Sequence, residues 1–157
     1  MLKSLHMIFL KKLELQSSKA KYALTELQYA LIGGRHTASS SISDKSEVEH
    51  IMPQKITEGS EWEKYMINEK HKTTSIDIDE YHQENVNKLG NMTLLNKSRN
   101  RSLSNSSFAS KKDNYRTDDL EITKQIAKEP VWDDGTIANR QEYFLNFAKK
   151  IWDLKFV

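Results

Sequence analysis

No cysteine occurs in this chain, and that absence removes several chemistries at once: disulfide stapling, thiol nucleophiles and every structural zinc site built on thiolates. Charge of one sign is also scarce. The chain carries 24 Lys and Arg against 22 Asp and Glu, a net charge of +2, so any footprint for nucleic acid has to be local. Long hydrophobic runs are missing too. None approaches the roughly 18–20 residues that a membrane span needs. The opening MLKSLHMIFLKK holds only a short apolar patch with no small-residue cleavage site behind it, so it does not read as a signal peptide. These absences fit a protein of the reducing cytoplasm, and that is the expected location. No aromatic-rich strand of the kind that RNA-reading sheets use is present.

What remains is 157 residues, 29% charged and 37% apolar, enough for one modest core: one domain, or a small domain with an appended segment. Residues 2–32 read as helix, because Ala20, Ala23, Leu24, Leu27, Ala30 and Leu31 recur at helical spacing and Gly33-Gly34 ends the pattern. Residues 37–46 are polar and serine-rich, a linker or loop. In SEVEHIMP, Val48 and Ile51 suit a short strand that Pro53 stops. Ser60 and Glu63 form a capping box that opens a helix over 60–70. Residues 71–88 read as irregular, with a helical turn near 79–84. Gly90 turns the chain into NMTLL, a second short strand. Residues 96–107 read as loop with at most a short helical piece. Helices follow over 107–115, over 118–128 ending ahead of Pro130, and over 136–152, where Ile137, Phe144, Phe147, Ala148 and Ile151 form the buried side. The expected fold class is α+β, mostly helical around one small hairpin.

Three pieces carry candidate chemistry: EHIMPQ at 49–54, LGNMTLLN at 89–96 and SRN at 98–100. Glu49 and His50 are adjacent on a strand, so on a regular pleat they diverge. They converge only where the strand ends or bulges, which Pro53 allows. Asn91 and Asn100 each offer an acceptor oxygen for a hard cation and a donor for orienting a neighbour. Phosphodiester hydrolysis needs such parts: a neutral imidazole to take a proton from water, and a divalent ion to stabilise charge on phosphate. Oxygen donors suit Mg2+ or Mn2+ better than zinc.

The ordered set Glu49-His50, Asn91, Asn100 resembles the HNH motif of the His-Me finger (ββα-metal) nucleases. More narrowly, EHIMPQ, then a Trp, then LGNMTLLN, then the N…N..F..KK..Y pattern resembles the C-terminal domain of GmrSD-type modification-dependent restriction endonucleases, over about residues 20–152. The resemblance implies a ββα-metal hairpin-helix core and a metal-dependent DNA endonuclease or nickase of a bacterial restriction or anti-phage system. It implies Mg2+ (or Mn2+) as cofactor and an N-terminal NTPase or sensor domain, or a separate subunit, as partner. It makes His50 the general base, Asn91 the residue that orients the base and braces the hairpin, and Glu49 and Asn100 the metal ligands. Lys111 and Lys112 match a basic pair that meets phosphate, and Arg99 and Arg101 flank Asn100 where DNA backbone would run. The expected organisation is then an N-terminal helical segment (1–36), a polar linker or loop (37–46) and an HNH nuclease domain (47–157) with an insertion at about 55–88. Glu at 49 is one methylene longer than the Asp common in the superfamily.

A second function class stands beside this one: a DNA-binding or interaction module of the same fold with little activity unless its partner domain is present. An RNase of this fold ranks lower. The histidines His6, His36, His71 and His82 read as surface residues, and Trp62, Trp132 and Trp152 as core.

Overall fold

The computed structural model describes residues 17–34, 42–73, 76–103 and 105–151. The chain runs α1 (Ser17–Leu31), α2 (Ile42–Lys45), β1 (Ser46–His50), α3 (Glu61–Thr73), α4 (Ile78–Val86), a 3-10 turn (Leu89–Asn91), β2 (Met92–Asn96), α5 (Lys97–Leu103), α6 (Phe108–Arg116), α7 (Glu121–Lys124) continuing as a 3-10 turn (Gln125–Lys128), and α8 (Asp134–Ile151). Among the described residues the class is α+β, mostly helical with one two-stranded antiparallel sheet. The ladder is regular from Ser46 opposite Asn96 to His50 opposite Met92.

The hairpin is the wall between two apolar clusters. Because strand side chains alternate, Leu95 of β2 joins Ile51, Met52, Trp62, Tyr81, Phe108, Tyr115, Trp132 and Ile137 on one side. Met92 and Leu94 join Ala20, Leu24, Leu27, Leu89, Ile122 and Phe144 on the other. The apolar stripe of α1 is therefore covered by the chain itself, by β2, α7 and α8.

Local chemistry explains the elements. Ser60 Oγ accepts the Glu63 N–H at 3.2 Å and Glu63 reaches back to the N–H of Gly59, one residue before the cap, at 2.5 Å, so a variant of the capping box starts α3. Asp77 caps α4 by accepting from Asp79 and Glu80 N–H groups at 2.9 and 3.0 Å. Ser107 caps α6.

Several expectations need correction. The polar stretch 37–46 is not loop to its end: 42–45 form α2 and Ser46 opens β1. The helical turn expected near 79–84 is a longer helix, α4, because Asp77 supplies the cap and Tyr81 and Val86 a buried stripe. The short helical piece allowed within 96–107 is α5, seven residues long and opened by Asn96 Oδ1 accepting the Ser98 N–H at 3.0 Å. Helix 118–128 starts later, at Glu121, after Asp118 Oδ1 accepts the Leu120 N–H in a tight turn, and it narrows to 3-10. Residues 2–16, His6, His36 and Trp152 lie outside the described residues.

Candidate active site at the end of the hairpin

The site grows from the place where β1 stops. His50 is the last residue of the ladder, and the three residues after it, Ile51, Met52 and Pro53, are fully or nearly fully enclosed. Their backbone groups have left the sheet, so each needs another partner. Asn91, 0% exposed, supplies most of them. Its carbonyl accepts the Ile51 N–H at 3.0 Å, its Oδ1 accepts the Met52 N–H at 2.9 Å, and its Nδ2 donates to the carbonyls of Met52 (3.0 Å) and Val86 (2.9 Å). Trp132 Nε1 donates to the same Oδ1 at 2.9 Å. With two donors on Oδ1 and two carbonyls on Nδ2, the amide has one orientation.

The turn that carries Asn91 is itself held from behind. Arg140 on α8, 9% exposed, donates to the carbonyls of Gly90 (2.9 Å), Met92 (2.5 Å) and Ile122 (3.2 Å), and stacks on Phe144 at 4.5 Å. Burial pulls its guanidinium down to about 9, which leaves it charged at neutral pH. Gln141 Oε1 accepts the Gly90 N–H at 3.1 Å. A Cβ on Gly90 would sit 2.1 Å from the Ile137 carbonyl, so only glycine lets the turn approach α8 this closely.

His50 is 9% exposed, and its Nε2 is buried with no hydrogen-bond partner among the described residues. Burial lowers its pKa to about 4, helped by the positive charge of Lys111 and by His82. The imidazole is therefore neutral across the physiological range, with a lone pair available. His82, expected at the surface, is half-buried instead, and its Nε2 lies 2.7 Å from the Pro53 carbonyl.

Glu49 and His50 do not converge. The ladder is unbroken through both, so directly paired residues share a face: Glu49 lies with Thr93 and His50 with Met92. The Glu49 carboxylate points at α6, where Lys111 Nζ donates to Oε1 at 2.6 Å and the Tyr115 hydroxyl donates to it at 3.4 Å. Burial pushes the Glu49 carboxyl up and the Lys111 ammonium down, each opposed by the other's charge. Lys111, expected to meet phosphate, is 0% exposed, and its ammonium faces inward to Glu49.

The remaining candidates divide. Lys112 is half-buried over the Phe108 ring at 5.5 Å. It lines a cleft of about 360 Å³ with Trp62, Tyr65, Phe108 and Pro130. Arg99, 41% exposed in its side chain, lies 3.6 Å from Asp118 and donates to the Thr117 carbonyl. Asn100 and Arg101 stand on α5, which packs against both strands; their side chains lie outside the described residues, as does that of His71. Trp62 and Trp132 are core, at 3% and 1% exposure. Among the described residues, no three His, Asp or Glu side chains gather as a cation cage.

With this geometry in place, comparison with known families is decisive. The family model for the C-terminal domain of GmrSD restriction endonucleases matches residues 4–147. The chain belongs to that family. A search of curated proteins gives no match. Membership in a domain family of restriction endonucleases implies a nuclease, and a nuclease family suggests a metal ion. A carboxylate ligand would have to be free to turn toward the ion, and Glu49, as placed, does not fit that role because Lys111 and Tyr115 hold it.

Sequence reasoning missed Arg140 and misassigned Lys111, although a signal existed for both. Arg140 stands three residues after Ile137 and four before Phe144. Lys111 stands three after Phe108 and four before Tyr115. Each cation sits on the apolar stripe of its own helix, which marks it as buried and therefore in need of acceptors.

Proposed function

We propose that this GmrSD-type domain is a metal-dependent HNH endonuclease that nicks DNA, with His50 as general base. The observation that supports it most is the state of His50: a neutral imidazole, nearly enclosed, whose Nε2 has no partner among the described residues, at the end of a strand whose next two residues are hydrogen-bonded to Asn91. Such a group takes a proton from water as the water oxygen bonds to phosphorus and one P–O bond breaks; the leaving oxygen takes up a proton from solvent, which leaves a phosphate monoester and a hydroxyl end. With a pKa near 4 the free imidazole is a weak base. An approaching phosphodiester brings negative charge that raises its proton affinity toward the working range.

Mg2+ (or Mn2+) is the proposed cofactor. It supplies charge stabilisation at the phosphate. Asn100 is retained as the proposed ligand, on the family pattern. Arg99, Arg101 and Lys112 are proposed to track the DNA backbone, and an N-terminal NTP-hydrolysing domain or separate subunit to deliver the substrate, in the cytoplasm. No described helix is long and apolar enough to cross a membrane. The test is nicking of supercoiled plasmid with Mg2+ and with Mn2+, abolished by chelator and by His50→Ala.

The competing reading is a DNA-binding module with little activity of its own. Two features favour it: the weak net charge and the sequestered Glu49. Protein that shifts DNA in gels with strong salt dependence but nicks under no divalent ion would establish it.

A further inference from the structure

We propose that Lys111 is a positioning residue for His50, and that Glu49 serves as the counter-ion of Lys111 rather than as a ligand for the ion that the family implies. The first half rests on the nuclease reading above; the second does not.

An ammonium has three N–H donors. Lys111 Nζ meets three acceptors: Glu49 Oε1 at 2.6 Å, the His50 carbonyl at 2.9 Å and the Ile51 carbonyl at 3.1 Å. The two carbonyls belong to the residues at which β1 leaves the sheet. Together with Asn91 this completes the accounting for the segment. The His50 and Ile51 carbonyls go to Lys111, the Ile51 and Met52 N–H groups to Asn91, and the Met52 carbonyl to Asn91 Nδ2. The peptide on the C-terminal side of His50 therefore has no freedom to rotate, and the imidazole inherits its direction from that frame. Positioning of this kind matters because small displacements of a reacting group cost large factors in rate.

The counter-ion role follows from burial. Lys111 is 0% exposed and Glu49 5%. A buried charge deprived of its partner is strongly destabilising. If Glu49 turned away to a cation, the ammonium would be left facing neutral carbonyls, and the Tyr115 hydroxyl would lose its acceptor. The regular ladder also keeps Glu49 on the opposite face from His50, away from where the base acts.

Three variants test this: Lys111→Met, Glu49→Gln and the two combined. Lys111→Met is expected to lower kcat for plasmid nicking by about 10²-fold with KM unchanged, since it displaces the base and not the DNA. It is also expected to move the His50 ring signals in 1H–15N spectra. Glu49→Gln is expected to reach half-maximal activity within about threefold of the wild-type Mg2+ concentration, whereas loss of a true ligand raises that concentration more than about tenfold. If a single variant does not fold, the double variant, which removes both charges, takes its place. It is expected to keep the kcat loss and the wild-type Mg2+ requirement. In the unmodified protein without DNA, the slowly exchanging Lys111 ammonium signal is expected to persist unshifted at saturating Mg2+.

Wild-type kcat in Lys111→Met, or unmoved His50 ring signals, overturns the positioning role. A shift of the ammonium signal with Mg2+, or a more than tenfold higher Mg2+ requirement in Glu49→Gln, overturns the counter-ion role. Should the wild-type protein not cleave DNA at all, the nuclease reading fails. The ammonium signal, read without DNA, then still decides the counter-ion role, and the ring signals decide only whether Lys111 orients the imidazole.

Discussion

Replacing Asn91 by Ala removes one small polar side chain and leaves four groups without partners. Two are donors, the Met52 N–H and Trp132 Nε1–H, and two are acceptors, the carbonyls of Met52 and Val86. All four surround a side chain that is 0% exposed, so bulk water does not reach them without a local opening. A buried polar group left unpaired costs about 1–3 kcal/mol. With half of the four relieved by small shifts or a trapped water, the loss is on the order of 4 kcal/mol, a large part of the roughly 5–15 kcal/mol that holds a domain together. Asn91→Asp is expected to be no better, because a carboxylate oxygen would then face two carbonyls. The comparison is Asn96→Ala, which removes only an exposed cap on α5 and is expected to cost about 1 kcal/mol. Urea unfolding followed by tryptophan fluorescence measures all three, with Trp132 one of three reporters. A loss below about 1 kcal/mol for Asn91→Ala, with an unchanged slope, would refute the claim that this side chain holds the hairpin end together.

Further expectations follow from the same geometry. Gly90→Ala sets a methyl group 2.1 Å from the Ile137 carbonyl, which is backbone and cannot step aside, so a loss of about 2 kcal/mol or more is expected by thermal or urea unfolding. His50 binds its proton less readily folded than unfolded, so its contribution to stability is present above about pH 6.5 and is lost as pH falls through that value toward about 4. The size is on the order of 3 kcal/mol. Glu49, whose carboxyl burial pushes up, runs in the opposite sense: the folded protein holds that proton more tightly, so this contribution weakens as pH rises above the ordinary carboxyl value of 4.5. Subtracting the stability profile of His50→Gln from that of the wild type isolates the histidine, and a flat difference between pH 4 and 6.5 would contradict its burial. Arg99→Ala is expected to reduce the salt dependence of DNA binding by less than one phosphate contact's worth, since Asp118 already takes part of its charge.

How much of this was legible in the residues depends on what kind of signal each feature leaves. The hairpin was, because Pro53 stops the run that holds Val48, and Gly90 turns the chain into NMTLL. So were the capping box at Ser60 and Glu63 and the stripe of α8, both of which are local patterns. Helix α4 was hidden by its polar composition: its stability comes from Asp77 at the cap and from Tyr81 packed at 1% exposure, a tertiary contact. At the site, the position of His50 at a strand end was legible, but its neighbours were not. Lys111 looks like one of a surface pair with Lys112, and only the fold reveals that one faces inward to Glu49 and the other lies over Phe108. His82 looks like decoration on a polar segment, and folding brings it to Pro53, 29 residues away in the chain.

The central claim is that His50 takes the proton from the attacking water. The most direct measurement is the rate at which wild-type protein and His50→Ala nick supercoiled plasmid in Mg2+, with both shown to be folded by cooperative urea unfolding. The rate is expected to fall by about 10²–10⁴-fold in the variant while DNA binding persists. Nicking by folded His50→Ala at the wild-type rate would contradict it.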